Sequence, residues 1–224
     1  FEGEYLNGKR NGKGKEYDNF SGKLIFEGEY LNGERNGRGK EFYYNEKTLF
    51  EGEYLNGKKW NGKGYDIYDN IIYDLKRGKG FIKEYSYNRQ LLFEGQYLNG
   101  ERNGKGKEYN YDGKLIFEGE YLNGKIWNGV KYDGMNNNAG EIKNGKGTIK
   151  EFNSKGKLEF EGEYIYGKKN GKGQEYNSEE KLVFEGEYLN GQKNGKGKMY
   201  NNNGVMIFEG EFLYNYKLRG SEYI

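Results

Sequence analysis

The side chains able to do chemistry in this chain are carboxylates, and they come in pairs. Glu2 and Glu4 flank Gly3, and the same Glu-Gly-Glu triplet occurs seven times. Two carboxylates can share acid and base work at a glycosidic bond, but only in one cleft that gives them different environments. Seven copies describe a solvated strand face instead. The chain has no His and no Cys, which removes Ser-His-Asp and Cys-His nucleophile systems and the imidazole and thiolate zinc sites. Gly8, Gly12 and Gly14 superficially match a phosphate loop, but no Gly-Lys-Ser/Thr ending follows, so they read as turn glycines. Asp133 to Glu141 is Asn-rich. Its third and sixth places hold Met135 and Asn138 rather than calcium-loop residues. Asn19-Phe20-Ser21 fits a glycosylation sequon, a match that an Asn-rich chain meets by chance. The expectation is a non-enzymatic chain with no catalytic residue, cofactor, metal or small-molecule substrate.

The elements that would position these residues repeat. Phe-Glu-Gly begins at Phe1, Phe26, Phe50, Phe93, Phe117, Phe160, Phe184 and Phe208, at intervals of 25, 24, 43, 24, 43, 24 and 24 residues. Each 43-residue interval hides a degenerate unit, near residues 66–92 and 131–159. The 224 residues thus read as one array of about ten units. Because the first residue is Phe rather than Met, at the start of a repeat, and the last unit stops partway, the array reads as a segment of a longer protein. Within a unit, Phe1-Glu2-Gly3-Glu4-Tyr5 alternates as a strand does. Asn7-Gly8 signals a turn, and Asn11-Gly12 ends the loop. Lys13 to Tyr17 returns as the second strand, and Gly22 leads into the next unit. No window carries a helical apolar period.

The predicted fold is all-β: an elongated single-layer antiparallel sheet of tandem β-hairpins, twisted and curved into a trough. At about 4.8 Å per strand it would be about 90 Å long. Phe and Tyr line one face. Glu2 and Glu4 on one strand face Lys13 and Lys15 on the next, so cross-strand Glu–Lys pairs are expected. The charge balance agrees: 37 basic and 35 acidic residues, net +2. Such a balance does not point to nucleic acid. No apolar run is long enough to span a membrane. The absence of Cys fits a reducing compartment, so the expected location is cytoplasmic, at the cytoskeleton or the inner membrane surface.

The 24 Tyr and 13 Phe define the candidate sites, because a single layer leaves its apolar face in need of cover. A helix, an extended segment or a second copy would lie along the aromatic trough, against Tyr54, Tyr97, Tyr121 and Tyr164. The only two Trp, Trp60 and Trp127, sit at altered hairpin tips 67 residues apart. They are either partner anchors at the edge or local packing over the altered turn. Basic tip residues Lys9, Arg10, Lys58, Lys59, Lys168 and Lys169 read as solvated turns, with contact to an anionic lipid surface as the alternative.

The pattern Phe-Glu-Gly-Glu-Tyr-x-Asn-Gly-x-x-Asn-Gly-Lys-Gly, every 24 residues, resembles the MORN repeat. It is especially similar to variants with Gly-Lys-Leu-x-Phe between units, as at Gly113 to Phe117. The resemblance covers essentially the whole chain. It departs at the two degenerate units, the Trp insertions and the last unit. It implies a single-layer antiparallel sheet and a role in protein binding, dimerisation or membrane-associated and cytoskeletal organisation. The functions weighed are an interaction scaffold, a phospholipid-binding module and a rigid spacer for an adjacent catalytic domain.

Overall fold

A computed structural model describes every residue except 136, 154 and 224. The described residues form only strands, turns and bends. The strands pair antiparallel in sequence order in three sheets, none closed into a barrel. The first sheet holds β1 (Glu2–Leu6), β2 (Lys9–Tyr17), β3 (Leu24–Leu31), β4 (Glu34–Phe42), β5 (Thr48–Leu55), β6 (Lys58–Tyr65) and β7 (Ile71–Leu75). The second holds β8 (Gly80–Tyr85), β9 (Leu91–Leu98), β10 (Glu101–Tyr109), β11 (Leu115–Leu122), β12 (Lys125–Tyr132) and β13 (Asn138–Ile142). The third holds β14 (Lys146–Phe152), β15 (Leu158–Ile165), β16 (Lys168–Tyr176), β17 (Leu182–Leu189), β18 (Gln192–Tyr200), β19 (Met206–Leu213) and β20 (Tyr216–Glu222). The chain divides into two compact units, Phe1–Leu115 with Tyr121–Gly124, and Ile116–Glu120 with Lys125–Ile224.

The hairpin turn is tighter than the Asn-Gly pattern predicts. Asn7 and Gly8 both have positive φ, 51° and 74°, as a two-residue type I′ turn requires. The returning strand therefore starts at Lys9. Asn11-Gly12 lies inside it rather than ending a loop. There β2 bulges: Tyr5 pairs with Arg10, but Gly3 pairs with Gly14. Gly12, at φ 81°, supplies the left-handed residue that such a bulge uses. The N–H freed by the bulge, that of Lys13, reaches the Glu4 carboxylate. Arg38 does the same with Glu29 at 2.9 Å, Lys172 with Glu163 at 2.7 Å and Lys196 with Glu187 at 2.9 Å. In these four triplets the second Glu thus caps a bulge, whereas Glu53, Glu120 and Glu211 accept from the side chains of Asn61, Asn128 and Arg219. At Lys105 the side-chain oxygen of Gln96 serves equally, at 2.9 Å.

Successive tips are tied backbone to backbone. In the first unit Gly33 N–H donates to the Arg10 carbonyl, Gly57 to Arg35, Gly78 to Trp60, Gly100 to Gly78 and Gly124 to Arg102. In the second, Gly145 donates to Trp127, Tyr166 to Gly145, Gly191 to Lys169 and Asn215 to Lys193. The degenerate units are short hairpins that keep this ladder. Their core positions carry Leu75 and Ile82 in the first unit and Ile142 and Ile149 in the second, all buried.

Candidate interaction surfaces

On one face of each unit the rings pack in rows. In the first unit Phe1, Phe26 and Phe93 each meet the Tyr of their own repeat and that of the next edge to face, while Phe50 meets Tyr54 edge to face and stacks on Tyr73. Phe1 lies 5.5 Å from Tyr5 and 5.1 Å from Tyr30. Phe26 lies 5.6 Å from Tyr30 and 5.2 Å from Tyr54. The second unit repeats this from Phe160 through Tyr188 and Phe184 to Phe212. The glycines make the packing possible: a Cβ on Gly39 would stand 2.6 Å from Cζ of Phe26. Edge-to-face pairs at this spacing are favourable beyond their area.

Cations close the rows from above. The Arg35 guanidinium lies 3.9 Å from the Phe26 centroid, Arg102 4.1 Å from Phe93 and Lys169 3.7 Å from Phe160, within cation–π range. Each cation then reaches a carboxylate on the ring face. Arg35 bridges Glu16 and Glu41, the latter at 2.8 Å. Lys59 meets Glu41 at 2.6 Å. Arg102 bridges Glu84 and Glu108, and Lys193 meets Glu175 at 2.8 Å. The tyrosine hydroxyls donate to the same carboxylates, Tyr54 to Glu41 at 3.0 Å and Tyr188 to Glu175 at 2.8 Å. Burial would raise the Glu41 carboxyl, but Lys59 and Arg35 outweigh it and hold it below its ordinary value. Burial and Glu41 together push the Tyr54 hydroxyl well up.

The opposite face is striped. Glu2 pairs with Lys15, Lys15 with Glu27, Glu27 with Lys40 and Lys40 with Glu51, the opposite-charge register expected from the sequence. A second row runs Lys13 to Glu29 and Arg38 to Glu53. Between the rows lies a ladder of bare backbone, Gly3, Gly14, Gly28, Gly39, Gly52 and Gly62, each opposite the next. Rows and ladder line an open groove of about 890 Å³. The second unit has its own groove, of about 520 Å³, over Gly173, Gly186 and Gly197. Among the described residues no group of three or more carboxylates is placed to hold a metal ion.

The repeating unit that builds both faces is a known one: the family model for the MORN repeat matches residues 1–19, 26–48, 93–114, 160–178 and 184–206. The chain is an array of MORN repeats. No curated protein matches it over its length. Among solved structures, a chain in the crystal structure of TcdB2-TccC3 aligns with 92% of this chain at 12% identity and a TM-score of 0.15. The match spans 13% of that chain, and a likeness at this level supports no comparison.

The MORN array places the expected site residues differently from the trough picture. Tyr54, Tyr121 and Tyr164 are only 3–4% exposed, and Tyr97 is half-buried with its hydroxyl on Glu84. These rings are core. The face that a single layer leaves bare is covered by the neighbouring repeat's Tyr and by the tip cations. Three of the six basic tip residues are drawn into that cover. Arg10 lies over Phe1 and pairs with Glu16, Lys59 lies over Phe50 and pairs with Glu41, and Lys169 lies over Phe160 and pairs with Glu151. Lys58 pairs with Glu101 at 2.7 Å. Lys9 and Lys168 are exposed. Trp60 and Trp127 pack locally. A Cβ on Gly78 would stand 2.8 Å from the Trp60 ring, and Trp127 stacks on Tyr166 at 6.3 Å. Each accepts, through its carbonyl, the N–H of the short tip that follows.

Proposed function

We propose that this MORN array is a non-catalytic interaction scaffold that seats an extended segment of a partner protein along the glycine-floored groove. MORN repeats are generally associated with protein or membrane interaction. The observation that carries the finer reading is the striped groove of the first unit. A segment lying across the strands meets acidic β1, basic β2, acidic β3, basic β4 and acidic β5 in turn. Like signs recur every two strands, about 9.6 Å. Such stripes select a partner by its charge sequence more than by bulk attraction. The ring face offers no equivalent, because its tyrosines are spent on packing. A photo-crosslinker at Lys13 should capture one segment of one partner. Lys15→Glu with Lys40→Glu puts a carboxylate beside Lys13 and Arg38 in the two basic stripes, cancelling their charge, and should abolish capture while the circular dichroism stays sheet-like. Equal capture by the reversed variant removes the groove from consideration.

A second reading has one observation in its favour. The tip turns of the second unit, from Lys125, Lys143, Asn144, Lys146 and Lys168 onward to Lys217, contain no Asp or Glu. Exposed Leu189, Leu213 and Tyr214 adjoin them. Basic and amphipathic residues on one edge suit an anionic membrane surface. Sedimentation with phosphatidylserine vesicles at physiological salt tests it, and no co-sedimentation ends it.

A further inference from the structure

The edge of the first unit opposite the hairpin tips carries a second set of rings, of which Phe20, Tyr68 and Tyr111 are exposed while Tyr44 and Tyr87 are half-buried. Phe20, Tyr44, Tyr68, Tyr87 and Tyr111 stand at the first or second place of five successive inter-hairpin turns. They recur every 24 residues, with one interval of 19. The corresponding turns of the second unit hold Gly134 and Met135, Ser178 and Glu179, and Asn202 and Asn203. The rings are therefore no requirement of the repeat. Phe20 is 100% exposed, Tyr68 77% and Tyr111 78%. Their turns are held rigid from within. The Asp18 carboxylate accepts the N–H of Phe20 at 3.2 Å and of Ser21 at 2.7 Å, and Asp66 accepts that of Tyr68 at 2.8 Å. The rings of the first and second sheets meet where Tyr44 lies 5.6 Å from Tyr87, with Tyr44 N–H donating to the Tyr87 carbonyl.

We propose that this edge docks a proline-rich segment carrying basic residues, at a site separate from the groove. Two observations select that occupant. Rings on successive turns of one sheet are two strands apart, about 9.6 Å. A polyproline II helix repeats its face every three residues, about 9.3 Å, whereas a helical heptad advances about 10.5 Å and alternate residues of an extended strand about 6.8 Å. Exposed, rigid aromatic rings are what such segments dock against, because the ligand arrives already ordered. The second observation is charge. The five turns hold the acids Asp18, Glu46, Asp66, Asp69 and Asp112 against the cations Lys23, Lys47, Arg89 and Lys114. Lys47 is paired with Asp69, and Lys23 lies over the Tyr44 ring. The surplus is acidic. It amounts to one charge, which suits a basic ligand better than an anionic membrane or a nucleic acid.

The test is fluorescence anisotropy with a labelled peptide of repeating Pro-Pro-Arg, against a control of repeating Gly-Gly-Arg that has the same charge and no polyproline preference. The intact chain should bind the first peptide and not the second. The triple variant Phe20→Ser, Tyr68→Ser and Tyr111→Ser borrows a residue the second unit already uses in such a turn. It should bind about tenfold or more weakly with an unchanged thermal transition. Failure of the intact chain to bind, equal binding of both peptides, or full binding by the triple variant would overturn the proposal. So would attachment to neutral phosphatidylcholine vesicles, or self-association, that the triple variant loses. Lys15→Glu with Lys40→Glu should leave peptide binding intact, which separates this edge from the groove.

Discussion

Glu41→Gln should unfold the first unit far more readily than Glu51→Gln, although both remove one carboxylate from a strand. Glu41 is 7% exposed and takes bonds from Lys59 at 2.6 Å, Arg35 at 2.8 Å and Tyr54 at 3.0 Å. An amide there leaves Lys59 over the Phe50 ring without its counter-ion, and Arg35 with Glu16 alone. Breaking one partner of a buried pair costs about 3–5 kcal/mol. Glu51 holds Lys40 at 3.2 Å on the solvated face, where a pair is worth about 0–1 kcal/mol. For a unit of this size the first loss lowers its melting transition by roughly 10 °C or more. Differential scanning calorimetry reads both. The pH dependence gives an independent check. The folded Glu41 value is depressed, so its stabilisation is fully present above the ordinary carboxylate value. It is lost as pH falls through the folded value, below the ordinary carboxylate range. Glu41→Gln should flatten this acid limb. Equal losses in the two variants, or an unchanged acid limb, would refute the claim that this carboxylate anchors the ring face.

Three further outcomes follow from the repeat geometry. Glu29→Gln should be nearly neutral in urea unfolding, because Gln96 already caps a bulge in the same way, while Glu29→Ala should cost about 1 kcal/mol by freeing the Arg38 N–H. Gly78→Ala should cost more than Gly57→Ala. Both have positive φ, 68° and 77°, but a Cβ on Gly78 would meet the Gly100 nitrogen at 2.4 Å, whereas Gly57 has open space. Tyr188→Phe keeps the edge-to-face stack but removes a donor to Glu175, so it should cost about 1 kcal/mol and Tyr188→Ala about 3–5 kcal/mol, by thermal denaturation.

The sequence makes the period, the strands and the Glu–Lys register readable, because each rests on alternation over a few residues. The sides of the tip are harder. Lys9 and Arg10 are adjacent and chemically alike, and only the bulge at Asn11-Gly12 decides which folds back over Phe1. Treating Asn11-Gly12 as the end of a loop hides that bulge and leaves the ring face looking uncovered. The trough tyrosines follow from that omission: with the cations outside, Tyr54 and Tyr164 need a partner, and with them inside the face is closed. One signal was present in the sequence. The alternation that puts Lys13 and Lys15 on the solvated face puts Glu16 on the ring face, where a carboxylate calls for an internal cation. The outer rings at Phe20 and Tyr68 are legible only as a contrast between the two halves of the array, and their exposure needs the structure.

The tip ladder has a consequence for how such a chain changes length. Each turn supplies an N–H to the turn before it and a carbonyl to the turn after it, so every hairpin is both plug and socket. A whole hairpin can be added or lost within the array and the two cut ends still find each other. A partial insertion leaves a socket with no plug. Growth therefore comes in whole hairpins, long or short, and a lineage can retune the distance between distant surfaces of the array in such steps without redesigning any unit.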